Sequence, residues 1–232
     1  MIKLLIILAV IFSLFSCSRD KNKETDNTNS ESSELTKLEI PENYEELISS
    51  EGDLDGDGID ERVIVYNTDI VGELGTEREV YICKKEKDEW MLWKKVKGPV
   101  LPSESGGVAG DPFNDLVIDK DKIYITHMGG SMEKWYYNHS YEYIDSEFKL
   151  VTAVVDYGIN CVKWETFHYE LRDAKLIYDL APEECDDVYI EEYCVAIHEE
   201  YDLEKNKLPL MDGFEPGNNE LKLSDRKEVI YY

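Results

Sequence analysis

The pattern that most constrains the fold is a series of short apolar or alternating segments separated by polar turns about every 8–12 residues, which is typical of antiparallel β-structure. The many tyrosines and tryptophans in these segments suit half-buried pleated surfaces. The pattern predicts an all-β, mainly antiparallel meander that forms a sandwich or a partial propeller. The predicted strands cover 62–67, 78–84, 89–96, 115–118, 122–127, 135–143, 148–157, 164–171, 175–180 and a closing edge at 228–232.

One short N-terminal helix is predicted before the strands, over Pro41–Ile48. Proline fits the first helical turn, and acidic side chains in that turn favour the positive end of the helix dipole. Tyr44, Leu47 and Ile48 would share one face of this helix.

An acidic, glycine-containing loop leads into the first long strand. Asp53, Asp55 and Asp57 stand at loop positions 1, 3 and 5, and Gly58 stands at position 6, where calcium loops turn sharply. The backbone carbonyl of Ile59 and the side chain of Glu61 would complete the ligand set. Oxygen ligands predict a hard cation, Ca²⁺ before Mg²⁺. The alternative is an acidic turn without a metal, and Asp60 is expected to face solvent.

The loop differs from an EF-hand at position 12, where Ile64 replaces the bidentate glutamate and begins a β-rich run instead of a helix. Its pattern, DxDxDGxxD followed by a strand, resembles the calcium loops of FG-GAP and VCBS-type β repeats. No second loop of this kind occurs, so the sequence does not predict a repeat array.

The N-terminus predicts export. Lys3 is followed by an apolar run over 4–15, which is short for a membrane span. The run ends in Leu14-Phe15-Ser16-Cys17, which resembles the lipobox of bacterial lipoproteins. The resemblance implies cleavage after residue 16 and lipidation of Cys17, and more than one acyl chain would anchor the protein stably. Ser18 after the cysteine favours the outer membrane. The alternative is an ordinary signal peptide that leaves Cys17 as a thiol.

Three regions are expected: a signal peptide over 1–16, a lipidated cysteine with a flexible acidic tether over 17–37, and a single β-rich domain over 38–232 that carries the loop at 53–61. The tether is nearly devoid of apolar residues. The formal charge of −26 argues against nucleic acid as a partner, because no basic footprint exists. Neutral glycans, basic proteins and cations remain compatible with this charge.

Four cysteines follow Cys17, and an exported chain with an even number predicts disulfides. Cys161–Cys185 is the favoured pair, because the hairpin over 164–180 lies between them and returns the chain to its start. Cys83 and Cys194 would then be paired with each other or free.

Two glycine-rich patches, 106–113 and 127–131, bend the chain or let backbones approach closely. Together with the acidic loop they resemble a group of bacterial lipoproteins known from Bacteroidetes, built on one VCBS-like loop and without an assigned activity. Two interpretations of the patches stay open: a ligand-binding rim in which Asp111, His127, Ser131 and Trp135 converge, or a pair of structural turns.

The leading functional hypothesis is a calcium-stabilised, membrane-anchored binding or interaction module of unknown ligand, with a glycan or an envelope protein as candidate partners. One alternative is a hydrolase of glycan or peptidoglycan with Asp111 and His127 near the chemistry, which requires them to converge in a pocket. A second alternative is a structural envelope lipoprotein.

Overall fold

Strands form nearly all the regular structure in the computed structural model, which describes residues 35–183, 195–223 and 229–232. The chain divides into two units, Met1–Ser30 and Glu31–Tyr232. The first unit lies outside the described residues, so the predicted signal peptide and the lipidation of Cys17 stay predictions. No helix in the described part is long and apolar enough to cross a membrane.

The first sheet has five strands in the order β1-β5-β4-β3-β2. Its members are β1 (Thr36–Lys37), β2 (Glu45–Gly52), β3 (Glu61–Gly72), β4 (Gly75–Glu86) and β5 (Glu89–Lys97). The predicted hairpin between β4 and β5 is confirmed. Its two-residue turn has positive φ at both Lys87 and Asp88, the geometry whose twist matches that of the flanking strands.

The second sheet has seven strands that follow one another in a meander, from β12 at one edge to β6 at the other. They are β6 (Phe113–Asp119), β7 (Lys122–Gly130), β8 (Glu133–Ile144), β9 (Glu147–Ile159), β10 (Lys163–Glu170), β11 (Lys175–Pro182) and β12 (Ile197–Asp202). The closing segment is β14 (Val229–Tyr231); among the described residues it pairs with β13 (Glu220–Lys222) and joins neither large sheet.

The two large sheets pack face to face around one apolar core, which confirms the all-β fold. Val63, Val65 and Ile82 from the first sheet and Ile123 and Ile125 from the second are fully or almost fully buried in the same cluster. Alternation along each strand puts these residues on one face, so burial fixes the strand register.

Alternate residues of β3 and β4 point to the outer face of the first sheet. There Ile64, Tyr66, Tyr81 and Cys83 form a second, smaller cluster, and Tyr66 and Tyr81 meet edge to face with centroids 5.1 Å apart. The first sheet is therefore partly buried on both faces.

Two N-terminal predictions are wrong. The helix over Pro41–Ile48 is a turn followed by β2, because Glu45–Gly52 pair along β3 and Tyr44 packs on the outer cluster of that sheet. The tether predicted to extend to residue 37 ends earlier, since Thr36 and Lys37 pair with Leu92 and Met91. In both places, pairing with an exposed strand edge outweighs the local preference of the segment.

Candidate functional site

The acidic loop joins β2 to β3 and is anchored by a buried apolar side chain, Leu54. Gly56 and Gly58 have φ of +78° and +84°, a region that L side chains rarely adopt. Asp53 accepts hydrogen bonds from the backbone N–H groups of both glycines, at 2.8 and 3.0 Å. The loop is thus wound tightly around the Asp53 carboxylate.

Three carboxylates converge inside this winding. Asp53, Asp55 and Glu61 each present an oxygen within 4.8 Å of the others. Glu61 is only 1 % exposed and accepts a hydrogen bond from the Leu54 N–H at 2.7 Å. Burial raises the pKa of Glu61, although the Leu54 N–H and the Lys84 ammonium act in the opposite direction.

A lysine from the first sheet reaches the same carboxylates. Lys84 Nζ pairs with Asp55 and lies 3.5 Å from both Asp57 Oδ2 and Glu61 Oε1. It also lies 4.4 Å from the centroid of the Trp93 ring. Burial alone would lower the pKa of Lys84, but the surrounding carboxylates raise it, so the ammonium stays charged. The sequence does not identify this residue, because its proximity depends on the β3–β4 register.

The loop fits a hard cation in its donor chemistry, because its converging ligands are carboxylate oxygens. Asp55, Asp57 and Glu61 contact the Lys84 ammonium, and Asp53 converges with two of them, so these four carboxylates and one ammonium leave an excess of three negative charges. Asp57 also accepts a hydrogen bond from the Ile59 N–H at 2.8 Å, so it shapes the loop as well. Asp60 is exposed, as expected.

The two glycine-rich patches contact each other. Gly130 N–H donates to the Gly106 carbonyl at 2.9 Å, and Met128 N–H donates to the Pro112 carbonyl at 2.8 Å. A Cβ on Gly106 would lie 2.4 Å from the Gly110 carbonyl oxygen. These contacts agree with structural turns that extend the edge of the second sheet beyond β6.

Asp111 forms an ion pair with a buried arginine. The Arg78 side chain is 1 % exposed and pairs with Asp111 through both terminal nitrogens. Arg78 Nη1 also donates to the Leu101 carbonyl, and Nε donates to Asn67 Oδ1, both at 3.0 Å. Burial opposes ionisation of Asp111, yet Arg78 and the Phe113 N–H hold its pKa below the usual range.

His127 is fully buried beside this ion pair. Its Nε2 accepts a hydrogen bond from the Leu101 N–H at 3.2 Å, and burial together with the Arg78 charge lowers its pKa to about 3. The ring is therefore neutral at neutral pH and closed to solvent. It acts as a hydrogen-bonded core histidine, not as an accessible base.

The other two residues of the expected rim have other partners. Ser131 is exposed in the β7–β8 turn, where its N–H donates to the Glu133 carbonyl at 2.9 Å. Trp135 stacks on Tyr137 with ring centroids 4.8 Å apart. The structure brings Asp111 and His127 together around Arg78 but does not form a common rim from the four residues.

A cleft of about 610 Å³ opens at this end of the sandwich, and Arg78, Glu79, Lys97, Ser105, Trp135 and Tyr137 are among its lining residues. Arg78, Glu79 and Lys97 of this lining already have charged partners in the protein. Glu79 binds Lys95 and Lys97 at 2.6 and 2.8 Å and accepts the Tyr44 hydroxyl at 3.0 Å. Asp111, His127 and Ser131 do not line this cleft.

The cysteines divide into two kinds. Cys161 is disulfide-bonded, whereas Cys83 is a free thiol in the outer cluster of the first sheet. Burial raises the pKa of Cys83 to about 11, so this thiol is protonated and unreactive. The remaining predicted disulfide candidates, Cys185 and Cys194, lie outside the described residues.

Comparison with protein-family models, with curated proteins and with solved structures finds no match to this chain. The resemblance to lipoproteins with a VCBS-type loop therefore stays a prediction carried by the residues themselves.

Proposed function

We propose that this chain is a calcium-stabilised binding module of an exported protein, anchored by a lipid on Cys17 and facing the periplasm or the cell surface. The observation that carries the metal part is the excess of carboxylates around Lys84 at the entry to β3. The three carboxylates that contact Lys84, together with Asp53, repel one another unless a further cation joins them.

Calcium would be held by Asp53, Asp55 and Glu61, with Asp57 and the Ile59 carbonyl as the remaining ligands. When bound, the ion supplies positive charge and rigid coordination. It would fix the start of β3, which carries Val63 and Val65 into the core. The expected affinity is that of extracellular modules, on the order of 10⁻⁴–10⁻³ M. The ion is therefore assigned a structural role.

The anchor rests on the sequence around Cys17. A diacylglyceryl thioether and an N-acyl chain would hold the protein at the membrane, with the outer membrane favoured. Metabolic labelling with palmitate tests this part, and a Cys17→Ser variant that still incorporates label would contradict it.

A binding role is supported over hydrolysis by the environment of the candidate catalytic residues. Asp111 is paired with Arg78, and His127 is neutral and buried. The ion pair with Arg78 and the burial of the neutral imidazole place neither group to protonate a leaving group or to activate water.

The experiment is calorimetric melting of the full chain in detergent, with EDTA and with about 5 mM CaCl₂, several times the expected dissociation constant. Calcium is expected to add about 1–2 kcal/mol of stability by mass action. For a chain of this size that corresponds to a rise in Tm of about 3–6 °C.

The matched variants are Asp55→Ala combined with Asp57→Ala, which removes loop carboxylates, and Asp119→Ala combined with Asp121→Ala, which removes acids from the β6–β7 turn. The first pair is expected to abolish the calcium shift and the second to preserve it. A parent chain whose Tm is the same in EDTA and in calcium would reduce the loop to an acidic turn.

A further inference from the structure

The outer face of the second sheet carries a groove that shares no lining residue with the acidic loop and only Trp135 with the cleft beside Arg78. It measures about 500 Å³ and is lined by Met128, Lys134, Tyr136, Asp156, Asn160 and Trp164, with Trp135 and Gly129 at its end. This volume lies within the range of small-molecule sites. The lining combines an apolar floor with a few polar groups, which is the usual composition of such sites.

The floor of the groove is the indole ring of Trp164, which lies on the neighbouring strand at a glycine. Trp164 on β10 pairs in register with Gly158 on β9. A Cβ on Gly158 would lie 2.3 Å from Trp164 Cε3, so only glycine lets the ring lie this close to the neighbouring strand. Trp135 lies on Gly129 in the same way, with a Cβ on Gly129 2.2 Å from Trp135 Cζ2, but it packs against the core on the other face of the sheet.

The Trp164 ring is held in place through its polar edge. Its Nε1–H donates to Glu183 Oε2 at 3.2 Å, and the same oxygen accepts the Cys161 N–H at 2.8 Å. The indole ring is therefore positioned before any ligand arrives, which reduces the entropy lost on binding.

The rim of the groove carries polar groups that have few partners within the described part of the protein. Lys134 forms none of the ion pairs found among residues 35–183, 195–223 and 229–232. Asp156 accepts one hydrogen bond, from Thr166 Oγ1 at 2.5 Å. The charges of Lys134 and Asp156 offset each other, and Asn160 adds a neutral donor and acceptor. The cleft beside Arg78 differs, because Arg78, Glu79 and Lys97 are already paired there.

We propose that this outer-face groove binds a ring of a neutral saccharide. A pyranose has an apolar C–H face that packs on an indole ring and hydroxyls at its edge that hydrogen-bond with carboxylate, amide and ammonium groups. The balanced rim favours an uncharged ligand, and the formal charge of −26 disfavours an anionic one. This inference rests on the proposed binding function and names its ligand class.

The test is isothermal titration of the full chain with three uncharged hexasaccharides, namely cellohexaose, mannohexaose and N-acetylchitohexaose. At least one is expected to bind saturably. Trp164→Ala is expected to weaken that binding about tenfold, the scale of one aromatic contact, and Trp164→Phe, which keeps a ring, by less. Trp90→Ala, on the outer face of the first sheet, is the matched control and is expected to bind like the parent chain.

Each titration is run with EDTA and with CaCl₂, which separates this proposal from the calcium site. Saccharide binding in both conditions supports the groove even if calcium leaves Tm unchanged. Absence of saturable binding at millimolar hexasaccharide in both conditions would overturn the proposal. Binding that Trp164→Ala leaves intact while its circular dichroism matches the parent would also overturn it, as would binding of an uncharged peptide in place of the saccharides.

Discussion

Strand β4 carries two cations that meet carboxylates in opposite ways. Arg78 is almost completely buried, and each of its nitrogens donates to Asn67, Leu101 or Asp111. Lys84, six residues further on the same face of the strand, is shared by three carboxylates of the acidic loop. The first arrangement is balanced and closed, whereas the second keeps an excess of negative charge. The difference separates a structural ion pair from a site that has reason to bind a further cation.

Acid is expected to destabilise the fold through two buried histidines, one of them beside Arg78. His127 beside Arg78 and His139 further along the core both have their pKa lowered to about 3, mainly by burial. Unfolded histidine has a pKa of about 6.5, so the unfolded state takes up protons first as the pH falls below that value. Stability is therefore complete above about pH 6.5 and declines toward pH 3. At about pH 5 each histidine would have lowered the free energy of unfolding by about 2 kcal/mol.

Urea unfolding at about pH 7 and pH 5 measures this loss, in a window above the range where the carboxylates titrate. His139→Leu removes a buried ring whose two nitrogens have no hydrogen-bond partner, and it is expected to halve the loss. His198→Asn is the control, because Asp179 raises the pKa of that exposed histidine and its contribution has the opposite sign. A loss of the same size in His139→Leu and the parent would refute the histidine explanation.

The Arg78–Asp111 ion pair is tested by removing its carboxylate. Asp111→Ala would leave the Arg78 guanidinium buried without a counter-charge, and we expect the free energy of unfolding to fall by about 3 kcal/mol. Combining Asp111→Ala with Arg78→Met removes the orphaned charge and should recover part of the loss. Urea unfolding gives both values. Asp121→Ala, an exposed acid in the β6–β7 turn, is expected to change stability by less than about 0.5 kcal/mol; a similar value for Asp111→Ala would mean that the pair contributes nothing.

Periodicity in the sequence predicts the strands because alternation and polar turns act locally. It fails at Pro41–Ile48, where a helix-like apolar spacing is overridden by pairing with β3. The glycine-rich patches suggest that Asp111 and His127 lie near each other without revealing Arg78, which pairs with Asp111 and whose charge lowers the pKa of His127. Loop composition identifies Asp53, Asp55 and Glu61, which do converge. Lys84 and Arg78 are found only from register, because cross-strand neighbours are set by pairing that no short sequence window contains.

The acidic loop is tested by removing the ammonium of Lys84, which contacts its carboxylates. Lys84→Met keeps most of the apolar length of the side chain but removes the ammonium from Asp55, Asp57 and Glu61. In EDTA the variant is expected to lose about 1 kcal/mol, as for a partly exposed ion pair. In calcium its Tm is expected to rise more than that of the parent, because the ion meets a more negative loop and no longer competes with an ammonium.

The matched control is Lys94→Met, which removes a lysine of comparable exposure that faces one carboxylate, Glu147, at 3.0 Å. Its calcium shift is expected to equal that of the parent. A larger shift in Lys84→Met alone would identify the ammonium as a competitor for the calcium site. Equal shifts in all three proteins would mean that the ion binds away from Lys84. The difference between the surroundings of Lys84 and Arg78 would then be one of hydrogen-bonding geometry alone.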